Sequence, residues 1–114
     1  MENISILEIS LKLYKQLHSL NLKIPKQDRY TIWQKIENEL LKFIEHISSC
    51  SHIQKVQRQG ELEKASKHLN TIRILLIISR EIKIIDNKNY LNIELLINQI
   101  GKMLGGWIKN TKNT

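Results

Sequence analysis

The sequence predicts an all-α fold, an up-down-up-down four-helix bundle. Three observations carry that expectation. Apolar residues recur at three- and four-residue steps in four separate stretches, the period of a helix that buries one face. The chain has one proline, Pro25, and it falls between the first two stretches. The connections are short, which sets consecutive helices antiparallel. No repeat on the scale of about 20–50 residues points to a solenoid. At 114 residues, 41% hydrophobic and 25% charged, residues 1–114 fit one domain whose core stands without disulfides or metal.

The first helix is expected over about residues 4–22, where Ile6, Ile9, Leu13, Leu17 and Leu20 make one stripe. Pro25 ends the region, because it has no amide hydrogen and steers Ile24 out of helical angles. The second helix, about 28–52, starts with Asp28 as its cap and buries Ile32, Ile36, Leu40, Phe43 and Ile47, with Trp33, Leu41 and Ile44 widening the stripe. It fades in "SSCSHIQKVQRQG", a tract without sustained period that reads as a frayed end and a polar connection. The third helix, about 61–84, contains "IRILLIIS", which in isolation has the composition of a buried strand. Spacing decides for helix, since Leu62, Ala65, Leu69, Ile72 and Leu76 step by 3, 4, 3 and 4. An Asp-Asn turn in "IIDNKNY" leads to the fourth helix, about 88–110, with Ile93, Ile97, Ile100, Leu104 and Trp107 in the same rhythm.

That last helix holds three of the four glycines, in "IGKMLGGWIK", each costing about 0.5–1 kcal/mol relative to alanine. Two accounts stand side by side. Gly101, Gly105 and Ile108 run beside the main stripe, so bare backbone there admits a neighbouring helix, with Trp107 and Ile108 as the apolar area around it. Alternatively Gly105 or Gly106 ends the helix in a left-handed turn and Trp107 folds back on the bundle.

Charge is unevenly placed. Residues 1–63 hold nine basic and eight acidic side chains, whereas residues 64–114 hold nine and three. In the heptad frame of the third helix Arg73 and Arg80 flank the core on one side, with Lys67 and Lys83 extending the row, while Lys102, Lys109 and Lys112 line the fourth helix. Together they form either a positive band that meets successive phosphates or a solvated face whose arginines bridge to acidic residues of other helices.

Catalytic chemistry is not indicated. The Glu-x-x-His pairs of a di-metal bundle are missing, and no nucleophile has a base and an oxyanion site in recognisable array. His46, Cys50 and His52 approach a metal-ligand set, but their spacing is no zinc signature, and a polar role is preferred. Neither a catalytic residue, nor a metal, nor a cofactor is expected. The longest aliphatic run, Ile74 to Ile78, is far short of the ~20 residues a membrane span needs. With a lone cysteine and no leader-like start, a cytoplasmic location is expected.

Two stretches, "IPKQDRYTIWQKIENELLKFIEH" and "HLNTIRILLIISREIKIIDNKNYLNIELLINQIGKMLGGWIK", resemble the accessory variability determinant (Avd) proteins of diversity-generating retroelements. Those belong to a wider four-helix-bundle family that includes proteins encoded in intervening sequences of 23S ribosomal RNA. The likeness runs from about Leu22 to Lys109. Pro25, Arg29, Tyr30 and Thr31 fit the broad family; Ile100, Gly101, Met103 to Ile108 and Lys109 fit the Avd branch. Trp33 stands where the family commonly has glycine, and the tract from Ser48 to Gly60 departs from the pattern. The resemblance implies a non-enzymatic accessory subunit, a homopentameric ring that binds the retroelement's reverse transcriptase and its template-repeat RNA or cDNA in support of mutagenic retrohoming. It places Gly101, Gly105 and Trp107 in a C-terminal helical motif and Arg73 and Arg80 in a basic third helix. The alternatives are an rRNA-intervening-sequence protein of another role and a purely structural oligomerisation module.

Overall fold

Four long helices carry the chain: α1 (Glu2–Leu20), α2 (Gln34–Ser49), α3 (Lys55–Glu81) and α4 (Asn87–Lys112). The computed structural model describes the backbone of residues 2–112 and the side chains of residues 5–112. No strand occurs among the described residues. Helix α1 packs on α2 and α4, and α3 packs on α2 and α4. The order around the bundle is therefore α1, α2, α3, α4, with α1 and α3 on one diagonal. Ile6, Leu13, Leu17, Ile36, Leu40, Phe43, Ile47, Leu62, Ile72, Ile93 and Ile100 are fully enclosed, so the four apolar stripes meet on the bundle axis. None of the described helices is long and apolar enough to cross a membrane.

Helical structure resumes after α1 sooner than expected, and Pro25 rather than Asp28 opens it. The amides of Asp28 and Arg29 donate to the Pro25 carbonyl at 2.9 and 3.0 Å, because the fixed φ of proline is already set for a helix start and its missing N–H is not needed there. Asp28 lies inside the first turn, Lys26–Asp28, and its side chain caps nothing. A π-helical turn, Arg29–Trp33, follows and runs into α2. The wide turn coincides with the largest enclosed side chain: Trp33 is fully buried, and its Nε1 donates to the Leu17 carbonyl of α1 at 3.1 Å.

The tract expected to be a polar connection is largely helical. Helix α2 ends at Ser49, a 3-10 turn spans Cys50–His52, and α3 starts at Lys55 instead of about residue 61, which puts Gly60 inside a helix. Its first turns bury no residue before Leu62, so they lack the apolar period by which a helix is recognised. Good helix formers such as lysine, glutamine and arginine sustain them. A clasp also holds the start: Arg58 donates to the carbonyls of Cys50 at 3.2 Å and Ile53 at 3.4 Å. Arg29 does the same for the first connection, at Asn21 (3.0 Å), Leu22 (3.3 Å) and Ile24 (3.1 Å). Both arginines satisfy carbonyls that the ending helix leaves open.

The third connection is closed differently. Lys83 adopts φ 63°, and the Ile84 amide reaches back to the Ser79 carbonyl at 3.1 Å. This is a left-handed helix end where glycine is the usual occupant. Asp86 then caps α4, accepting from the Asn89 amide at 2.8 Å. Relieving the left-handed lysine by Lys83→Gly is expected to raise stability by about 0.5–1 kcal/mol. The check is a higher urea midpoint at unchanged slope; a lower midpoint refutes it.

Helix α4 continues unbroken through its glycines to Lys112, and no glycine has positive φ. The expected alternative of a left-handed glycine end with Trp107 folding back is thereby excluded. Trp107 and Ile108 are half-buried against the core from within the helix.

Candidate nucleic-acid and protein interface

The outward side of the α3/α4 pair divides into a basic end and an apolar end. Its register is set where Gly101 lies against Leu69 and Arg73, which brings Lys67 level with the stretch between Lys102 and Lys109. Lys67, Lys102, Lys109 and Lys112 are all exposed, and no ion pair involving them occurs among the described residues. Lys102 and Lys109 are two turns apart, about 10 Å along the axis at 1.5 Å per residue. This is the basic end, close to the bundle end where α4 stops. Lys83 is exposed too, but it sits in the α3–α4 turn at the other end.

Arg73 and Arg80 do not continue the lysines as a free ridge. Both are half-buried. The Arg80 guanidinium lies 4.4 Å from the Tyr90 ring centroid, and its Nε is 3.4 Å from Glu81 on its own helix. Tyr90 in turn donates to Glu94 at 3.1 Å; burial and that neighbouring carboxylate push its phenol above the usual value. Arg73 is seated on Gly101, where an added methyl group would strike its Nη2. Its Nε is enclosed and has no hydrogen-bond partner. The bare backbone of Gly101 is thus used inside the chain, whereas Gly105 and Gly106 are exposed and face open space.

Large aliphatic side chains are exposed here as well. Ile74, Ile77, Ile78, Ile82, Leu91 and Leu95 are between 41% and 67% exposed. A groove of about 140 Å³ between α3 and α4 is lined by Arg73, Ile77, Tyr90, Glu94 and Asn98 among others. The signal was present in the sequence as surplus: Ile74, Ile77 and Ile78 lie off the seam that already accounts for α3.

A second polar construction joins α2 to α3. Glu39 is 4% exposed. It accepts from His68 at 2.9 Å and pairs with Lys35 at 3.5 Å and Lys42 at 3.6 Å. The His68 ring stacks on His46 at 5.3 Å, and His46 bonds Glu61 at 3.2 Å, a carboxylate that also accepts from Ser49 at 2.9 Å. Burial pushes Glu39 up, but the hydrogen bond and charge of His68, with Lys35, outweigh it and hold the carboxyl below its ordinary value. Glu61 is held low by His46 and Ser49. His46, Cys50 and His52 do not converge. His46 is taken by Glu61, Cys50 donates to the His46 carbonyl at 3.3 Å, and His52 faces solvent. Burial pushes the Cys50 thiol up to about 11, the opposite of what a nucleophile needs.

The sequence profile of the family described as bAvd-like matches residues 6–111. No curated protein matches. The fold is similar to that of a protein of unknown function from the S23 ribosomal protein family of Bacteroides thetaiotaomicron VPI-5482, with TM-score 0.85 and 19% identity over 96% of this chain and 99% of that one. At that identity the likeness speaks for the fold alone.

Proposed function

The chain belongs to the bAvd-like family, and from that premise we propose that it is a non-enzymatic accessory subunit of a diversity-generating retroelement. In this reading it forms a homopentamer in the cytoplasm and binds the element's reverse transcriptase together with template-repeat RNA or cDNA. The observation that carries the nucleic-acid part is the group of exposed, unpaired lysines Lys67, Lys102, Lys109 and Lys112, backed by an overall charge of +7. Such a surface binds through phosphates, by releasing condensed counterions, and reads no bases.

The triple variant Lys102→Glu, Lys109→Glu, Lys112→Glu, binding a single-stranded RNA in a salt titration, tests this. Its affinity is expected to fall at least about tenfold, and the slope of log K against log salt to become shallower by about 2, from roughly 0.7 per lost phosphate contact. Unchanged affinity and slope would remove nucleic acid from the reading. The sequence resemblance leaves a second reading, a protein encoded within a ribosomal RNA gene. Flanking genes separate the two, since only the first predicts an adjacent reverse transcriptase and a template/variable repeat pair.

A further inference from the structure

Four titratable side chains on the α2/α3 seam share one spacing. Glu39 and His46 are seven residues apart on α2, and Glu61 and His68 are seven apart on α3, so each pair lies on one face of its helix, two turns apart. The helices run antiparallel and the two pairs interlock: His68 donates from Nδ1 to Glu39 and His46 from Nδ1 to Glu61. Each carboxylate gives Oε1 to an imidazole and Oε2 to lysine, Lys35 and Lys42 at Glu39 and Lys64 at Glu61. Between these two ends the His46 and His68 rings lie side by side, their centroids 5.3 Å apart and their planes 13° from parallel.

Both rings are thereby held at Nδ1 and open at Nε2. No hydrogen bond to either Nε2 occurs among the described residues, neither nitrogen is among the enclosed, unpartnered atoms, and each side chain is 24% exposed. A carboxylate on one ring nitrogen is the arrangement that orients a histidine to bind metal through the other and makes it a better donor. The separation suits such binding as well, since two imidazoles on one tetrahedral ion, with metal–nitrogen bonds of about 2.0–2.1 Å, have ring centres about 5 Å apart. Among the described residues no three of His, Cys, Asp and Glu gather into a metal-binding group, so the protein supplies two nitrogens and leaves the other positions to water. Cys50 adds no thiolate, because burial pushes its thiol up to about 11 and Sγ donates to the His46 carbonyl.

We propose that His46 and His68 together bind one divalent transition-metal ion of the zinc, copper or nickel class through their Nε2 atoms, clamping α2 to α3. Imidazole nitrogen selects that class. Calcium and magnesium require oxygen donors, and the oxygens of Glu39 and Glu61 are already engaged by imidazole and lysine. The two donors are 22 residues apart in the sequence and meet only when α2 and α3 are packed, so the ion binds the folded chain in preference to the unfolded one and stabilises it by mass action. With two protein donors in place of the four of a closed structural site, the clamp fills and empties as the supply of free ion changes.

Zinc chloride, titrated into the full chain at neutral pH and followed by calorimetry, tests it. The native protein is expected to take up one ion per chain, with a melting temperature that rises with zinc and returns on addition of EDTA. His46→Gln and His68→Gln are each expected to weaken binding at least about tenfold, and Glu61→Gln, which keeps both donors but releases His46 from its carboxylate, about tenfold. Changing the remaining histidines, His18→Gln with His52→Gln, is expected to leave binding as it is. Circular dichroism checks that each variant folds. Proton NMR of the native chain supplies a readout that needs no variant: zinc is expected to move the ring signals of two of the four histidines and to leave the other two in place. A native chain that shows neither heat nor ring shifts in large zinc excess overturns the proposal. Binding that survives in the folded His46→Gln, His68→Gln double variant, or that disappears with His18 and His52, means an adventitious ion only and overturns it as well.

Discussion

Replacing Trp33 by alanine is expected to cost about 3–5 kcal/mol, the range for deleting a large buried aromatic. Small domains hold only about 5–15 kcal/mol in total, so this one change takes a large share of the stability. Trp33 is fully enclosed and its indole N–H ties the start of α2 to the Leu17 carbonyl in the middle of α1. The π-helical turn beside it has no other large enclosed side chain. Trp33→Phe keeps most of the packing but loses the hydrogen bond, and is expected to cost about 1–2 kcal/mol. Urea unfolding followed by circular dichroism measures both, with Trp107 left as a fluorescent reporter. A loss below about 1 kcal/mol for the alanine variant would mean that the site collapses around the gap.

Removing the Glu39 carboxylate is the second large effect. Glu39→Ala is expected to cost about 1–3 kcal/mol near neutral pH, toward the lower side of a broken buried pair. Lys35 and Lys42 are half-exposed and return to water, which leaves mainly His68 short of a partner. The same carboxylate sets an acid limit. Its native value lies below that of the unfolded chain, about 4.3 for glutamate. On acidification the unfolded chain therefore takes up the proton first, and the stabilisation is complete above that value and lost as pH falls through the native one. Glu61 adds in the same direction. Glu37 opposes them: burial raises it, with His18 acting against that rise, so its contribution is lost as pH climbs through its native value. Urea midpoints between about pH 7 and pH 3 are expected to fall for the native chain and to fall less for Glu39→Gln. Parallel curves would detach the acid limit from Glu39.

The four helices were legible because each buries a stripe at a fixed period, and periods survive without any knowledge of the neighbours. The stretch from Lys55 to Glu61 was not, since a helix with no apolar face leaves no rhythm to read. The exposed lysines could be placed because they fall off the stripes, on positions that no core claims. The seat of Arg73 was not legible, because Gly101 lies 28 residues away and meets it only once the α3/α4 register exists. The histidine and glutamate ladder depends in the same way on the α2/α3 register: Glu39 and His68 are unremarkable until the two helices lie side by side. The glycine run had two readings in the sequence, and the structure removes the one that ended the helix there.

Acid discriminates between the ways this bundle is fastened. The carboxylates that join α2 to α3 are titratable, but the Arg29 and Arg58 clasps run from guanidinium to carbonyl, and neither end changes its proton count in acid. As pH drops, the seam between α2 and α3 should loosen while both corners keep their wound shape. The acid-swollen chain would then be a set of intact elbows with slack between its arms, and on neutralisation it would have less of the search to repeat.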